Sequence, residues 1–120
     1  MVGQIIAALR RSPLVKELEV LEVIEEESVQ FLRVKAEIVD GSLLYVREAF
    51  FPDHSKYSYH WQTRTGEMLI RWDNAPHHPE ISTHPDHKHA GEQVRPSSRV
   101  SVEEALAELS EALKRKGKIK

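Results

Sequence analysis

The sequence predicts an α+β fold: an antiparallel sheet of four to five strands, arranged as a meander of hairpins and packed by a C-terminal helix and a short N-terminal helix. Three observations predict it. Asp40-Gly41 and Thr65-Gly66 each lie between strand-forming runs, and glycine accepts the positive φ that tight hairpin turns require. Ser58-Tyr59-His60-Trp61-Gln62 and Ile70-Arg71-Trp72-Asp73 alternate polar with apolar side chains, the period of a strand with one buried face. Ser101-Val102-Glu103-Glu104 reads as a capping box opening a helix. At 120 residues the chain is expected to form one domain, residues 1–120.

Taken in order, Gln4 to Arg11 reads as a short helix stopped by Ser12 and Pro13. The run from Leu14 to Glu27 alternates apolar and acidic residues imperfectly, and its β-branched content favours a strand over a helix. Around Asp40-Gly41, a two-residue turn pairs Val39 with Ser42. That register puts Leu32, Val34, Ala36 and Ile38 beside Leu43, Tyr45 and Ala49, sets Arg33 opposite Glu48, and leaves Arg47 on the apolar side, at its edge or in a pocket. In the next hairpin, pairing Arg64 with Glu67 sets Tyr59 against Trp72 and Trp61 against Ile70 on a core face. His60 then meets Arg71 and Ser58 meets Asp73 on the polar face; a bulge at Gly66 would shift this register by one. A His/Pro-rich loop follows the last strand. Val102, Ala105, Leu106, Leu109, Ala112 and Leu113 then recur at helical spacing and need the aromatic sheet face to cover.

Charge and composition exclude several classes. With 17 Lys+Arg against 19 Asp+Glu the formal charge is -2, so the chain is not a polycation that coats nucleic acid by charge alone. The absence of cysteine excludes disulfides, a thiolate nucleophile and Cys-ligated zinc. No apolar run is long enough to span a membrane, and the N-terminus lacks the pattern of a secretory signal, so a cytoplasmic protein is expected. Acidic residues concentrate between Glu17 and Glu27, while the tail carries Lys114, Arg115, Lys116, Lys118 and Lys120, a placement that the negative end of a helix dipole already favours. There is no Gly-rich phosphate loop, no Gly-x-Ser-x-Gly elbow and no His-Glu-x-x-His.

The chemistry concentrates between Arg71 and His89. Five of the seven histidines fall at 77, 78, 84, 87 and 89. Imidazole accepts and donates protons near neutral pH, the pair of roles that metal-free RNA cleavage needs. His60, His77 and His78 are the candidates for proton transfer, Arg71 for holding the phosphate through its two-pronged guanidinium, and Asp73 for orienting a histidine. Two plainer readings stand beside these: His60 on a solvated sheet face, and Asp73-Asn74-Ala75-Pro76 as turn chemistry. His84, His87 and His89 offer three imidazoles to a metal ion, but their spacing matches no established zinc motif, so no metal or cofactor is assigned.

Lys56 to Gln62 (KYSYHWQ) together with Leu69 to His89 (LIRWDNAPHHPEISTHPDHKH) resembles the TumE family, small toxins of prokaryotic toxin–antitoxin modules. The matching motif comprises Asp73, Asn74, His77, His78, His84, His87 and His89, without assigned roles. The resemblance implies a cytoplasmic growth inhibitor neutralised by an antitoxin from a neighbouring gene, commonly one with a DNA-binding helix-turn-helix. Three functions are carried forward: a metal-independent ribonuclease, a non-enzymatic protein-interaction module, and, as the weakest, a His-ligated metal-dependent hydrolase. RNA and a second copy of the chain remain open as further partners.

Overall fold

The computed structural model describes residues 1–120. Helix α1 (Val2–Arg11) leads into strands β1 (Val15–Glu25), β2 (Gln30–Ile38), β3 (Leu43–Phe50), β4 (Ser55–Gln62), β5 (Met68–Asp73), β6 (His87–Ala90) and β7 (Gln93–Pro96), and helix α2 (Val102–Arg115) closes the chain. All seven strands form one antiparallel sheet in chain order. The two helices lie together on one face, and the other face is left to solvent and to the loop between β5 and β6. The α+β expectation holds, with seven strands in place of the expected four to five. β6 and β7 come from the His/Pro-rich segment: Gly91, at φ 61, supplies the first position of a two-residue turn between Ala90 and Gln93. Pro96 ends the outermost strand, where a missing N–H costs no ladder bond.

The capping box forms as expected. Ser101 Oγ accepts from the Glu104 backbone N–H at 3.1 Å, and Glu104 Oε1 accepts from the Ser101 N–H at 3.0 Å. The six apolar residues of the α2 stripe are all buried against a core that includes Tyr59, Trp61, Trp72, Leu32 and Val34. α1 adds Val2, Ile5, Ala8 and Leu9 to the same core. β1 is an edge strand with register shifts between Val15 and Glu17 and between Val20 and Glu22, which account for its imperfect alternation. Val20, Leu21 and Val23 of that strand are exposed.

The expected register of the first hairpin is wrong by one residue. Gly41 donates to the Ile38 carbonyl and Ile38 to that of Ser42, so the turn contains three residues with Gly41 at φ 90, and not two. Arg33 therefore lies opposite Arg47, not Glu48, and reaches Glu22 at 3.6 Å instead. Leu44, Val46 and Glu48 join Leu32, Val34 and Ala36 on the core face, while Tyr45 and Arg47 turn outward. In the second hairpin the interior pairs are as expected: Tyr59 with Trp72, His60 with Arg71, Trp61 with Ile70 and Ser58 with Asp73. Arg64 does not pair with Glu67. A three-residue turn at Gly66 shifts the register, and a bulge between Trp61 and Gln62 shifts it back.

Two polar groups sit inside the core layer. Ser42 is buried, and its Oγ accepts from Trp61 Nε1 at 2.8 Å. Ser42→Ala should leave that indole N–H unpaired and lower unfolding free energy by about 1–3 kcal/mol, measurable by urea denaturation. Glu48 is 6% exposed, and burial pushes its carboxyl above 4.5 despite the nearby Tyr59 hydroxyl and Arg99. Because the folded form holds the proton more tightly, this group costs stability as pH rises through and above the ordinary value. Glu48→Gln is expected to stabilise the protein at pH 7, with the gain fading below about pH 4.5, as thermal melts across pH would show.

Candidate functional site

Paired strands carry their directly opposed residues on the same face, so the registers set out rows of side chains across the uncovered surface. One row runs Lys35, Tyr45, His60, Arg71, His89 from β2 to β6, and the next runs Arg33, Arg47, Ser58, Asp73, His87. Lys56 follows on the far side of Ala49 from Phe31. The outer face thus gathers Arg33, Lys35, Arg47, Lys56 and Arg71 although the whole chain is slightly acidic.

The two rows meet at Asp73, which is buried despite lying on the outer face. The segment from Asn74 to Asp86 folds back over it through a chain of turns: His77 N–H to Ala75 O, Ile81 to His78, His84 to Ile81 and Asp86 to Thr83. Asp73 Oδ1 accepts from the Ala75 N–H at 2.9 Å, and Oδ2 accepts from Arg71 Nε at 2.9 Å. Arg71 Nη1 reaches His60 Nδ1 at 3.3 Å. A guanidinium can only donate, so Nδ1 of His60 is the acceptor and its proton lies on Nε2. Burial first and the Arg71 charge second hold the His60 pKa below 6.5, which keeps the ring neutral at pH 7.

Beside Asp73, three further imidazoles come together. Alternation in β6 puts His87 and His89 on one face, and their Nε2 atoms are 3.1 Å apart. His87 Nε2 is also 3.1 Å from Asp73 Oδ1, and His89 Nε2 is 3.8 Å from Oδ2. His78 comes from the loop and stands edge-on to both, with ring centres 5.0 and 5.5 Å away. Burial, ahead of the neighbouring charges, lowers the His89 pKa below 6.5. His84 takes no part: the turns at Ile81–His84 and Thr83–Asp86 leave it exposed. The three-histidine group expected at 84, 87 and 89 is therefore found at 78, 87 and 89.

A cleft of about 470 Å³ adjoins this cluster. Arg47, Lys56, Arg71 and His77 supply its cations and its exposed imidazole, while Phe31 and Phe51 supply aromatic walls. Arg47 stacks over Phe31 at 5.3 Å. Asn74 lines the cleft, with both ends of its side-chain amide bound to backbone groups. Its Oδ1 accepts from the Tyr57 N–H at 3.1 Å and its Nδ2 donates to Ser55 O at 2.9 Å, tying the exit of β5 to the start of β4. Arg47, Lys56 and the two phenylalanines were not among the expected site residues; the corrected hairpin register brings Arg47 to this face, whereas Phe31 and Lys56 alternate onto it with Arg33 and Ser58 in either register.

Fold and site together define a small α+β protein whose one uncovered sheet face combines basic, aromatic and histidine side chains around a cleft. A family model described as Toxin TumE matches residues 5–116, and the chain belongs to that family of toxins. Membership brings an antitoxin partner with it. No curated protein and no solved structure matches the chain. None of its helices is long and apolar enough to cross a membrane.

The Arg71 charge is one cause of the depressed His60 pKa, so Arg71→Gln should move the imidazole titration of His60 upward toward 6.5. Proton NMR titration of the His60 ring in the two proteins measures this directly, and an unmoved titration would rule out the contact.

Proposed function

We propose that this toxin inhibits growth in the cytoplasm by cleaving RNA in the cleft beside Arg71. The observation that carries this reading is the contact of a neutral imidazole, His60, with a guanidinium at the wall of a basic and aromatic groove. The cleft volume falls within the roughly 300–1,000 Å³ of small-ligand sites. Arg47, Lys56 and Arg71 suit the phosphate chain, and Phe31 and Phe51 offer faces for unstacked bases. Groove cations beside aromatic faces are the usual means of holding single strands.

The reaction follows from the placement of protons. A phosphate bound by Arg71 draws the guanidinium from His60 and frees Nδ1 to accept the 2'-hydroxyl proton. The 2'-oxygen bonds to phosphorus, the bond from phosphorus to the 5'-oxygen breaks, and protonated His77 at the cleft delivers a proton to that leaving oxygen. The products are a 2',3'-cyclic phosphate and a free 5'-hydroxyl. Arg71 stabilises the extra negative charge in between, and Asp73 holds Arg71 in line. Neither Asn74 nor His84 has a chemical part in this scheme.

The edge strand β1, with exposed Val20, Leu21 and Val23, favours a second reading in which the chain acts by binding alone, through strand addition. The two readings part on one experiment. His60→Ala and His77→Ala are each expected to reduce cleavage of single-stranded RNA by about 10²- to 10⁴-fold while antitoxin binding persists. Growth arrest with intact RNA, undiminished in both variants, would instead establish the binding mode.

A further inference from the structure

We infer that His78, His87 and His89 bind a divalent transition-metal ion of the zinc type, with Asp73 as the adjoining carboxylate, and that this ion clasps the 74–86 segment onto β6. His87 Nδ1 lies 2.9 Å from the Pro85 carbonyl oxygen, which can only accept, so Nδ1 holds the proton and Nε2 of the neutral ring presents a lone pair. That Nε2 faces the Asp73 Oδ1 carboxylate oxygen and the Nε2 of His89, each at 3.1 Å. His78 follows the same pattern, with Nδ1 at 3.2 Å from Glu80 Oε1, which leaves Nε2 as its basic nitrogen. Metal-binding histidines are oriented in this way, one ring nitrogen donating to a carbonyl or carboxylate and the other meeting the ion.

Distances and charge agree with a metal. One ring nitrogen from each of the three histidines lies within 4.8 Å of the others. Ligands about 2.0–2.1 Å from a tetrahedral zinc stand roughly 3.4 Å apart, so the His87–His89 separation is close to the bound value and His78 needs a movement on the order of 1 Å. A divalent ion serves all of them at once. Asp73 supplies a negative charge beside it: Oδ2 is engaged by Arg71, and Oδ1, which accepts from the Ala75 N–H, keeps a second lone pair on the side of His87 Nε2, while Glu80 holds the far nitrogen of His78. Imidazole and carboxylate donors suit zinc, nickel and cobalt in preference to magnesium or calcium. The inference is independent of RNA cleavage. Its bearing on the cleft is that the clasped segment carries His77.

The test uses the full chain without a histidine tag, expressed in zinc-supplemented medium and analysed for metal by elemental analysis. About one zinc per chain is expected, falling below roughly one tenth in His87→Ala or His89→Ala and unchanged in His84→Ala. Chelation should lower the melting temperature of the wild-type chain by about 5–10 °C, with added zinc restoring it. If the His87 variant fails to fold, the partly exposed His89 variant and the wild-type zinc titration still decide the matter. A wild-type protein that holds no metal, and whose melting temperature ignores both chelator and zinc, would overturn the inference while leaving the RNA reading to its own variants.

Discussion

Trp72 is the constraint on which the site depends. It is fully buried between two outward-facing ionic residues, Arg71 and Asp73, and a strand has only two sides. Burying the indole against α2 and its neighbours Tyr59 and Trp61 commits β5 to one orientation. A one-residue slip would drive both charges into the core, at a cost far above the stability of a domain this size. The same constraint propagates laterally. With β5 fixed, its partners place His60 beside Arg71 from one side and His87 and His89 beside Asp73 and Arg71 from the other.

A carboxylate as enclosed as Asp73 would be costly if unpaired. Here the Arg71 guanidinium and the Ala75 N–H occupy its oxygens, and the fold-back of the following segment, which buries it, also brings the Ala75 donor. Enclosure and compensation therefore come from the same stretch of chain. Asn74 contributes in a different way, fastening the start of that stretch to β4 through both ends of its amide. The resulting surface has a soft boundary: His77 and His84 remain exposed, while His78 and His89 are half-buried.

Much of this was legible in the sequence where local chemistry and burial agree. The α2 stripe, its capping box and the interior pairing of β4 with β5 follow from periodicity, because a helix or an aromatic strand face leaves few alternatives. The β2–β3 register was not legible. Asp-Gly allows both two- and three-residue turns, and the apolar residues Leu43 and Leu44 are adjacent, so either face could claim the core. β6 and β7 were hidden by their composition, since prolines flank both and histidine has no strong strand preference. The replacement of His84 by His78 depends on how a 13-residue segment turns back on itself, from Asn74 to Asp86, which no residue pattern specifies. The TumE resemblance covers roughly the middle and C-terminal two thirds of the chain, whereas the family match extends over residues 5–116 and reaches into α1.

Because every strand lies next to its predecessor in the chain, the sheet can assemble by successive short-range closures, each with a small entropic penalty. The long-range event is the meeting of α1 with α2, which joins residues near opposite ends of the chain. Folding should thus divide into rapid zippering of the ribbon and a later docking of its two helical covers, with the aromatic face transiently wet in between.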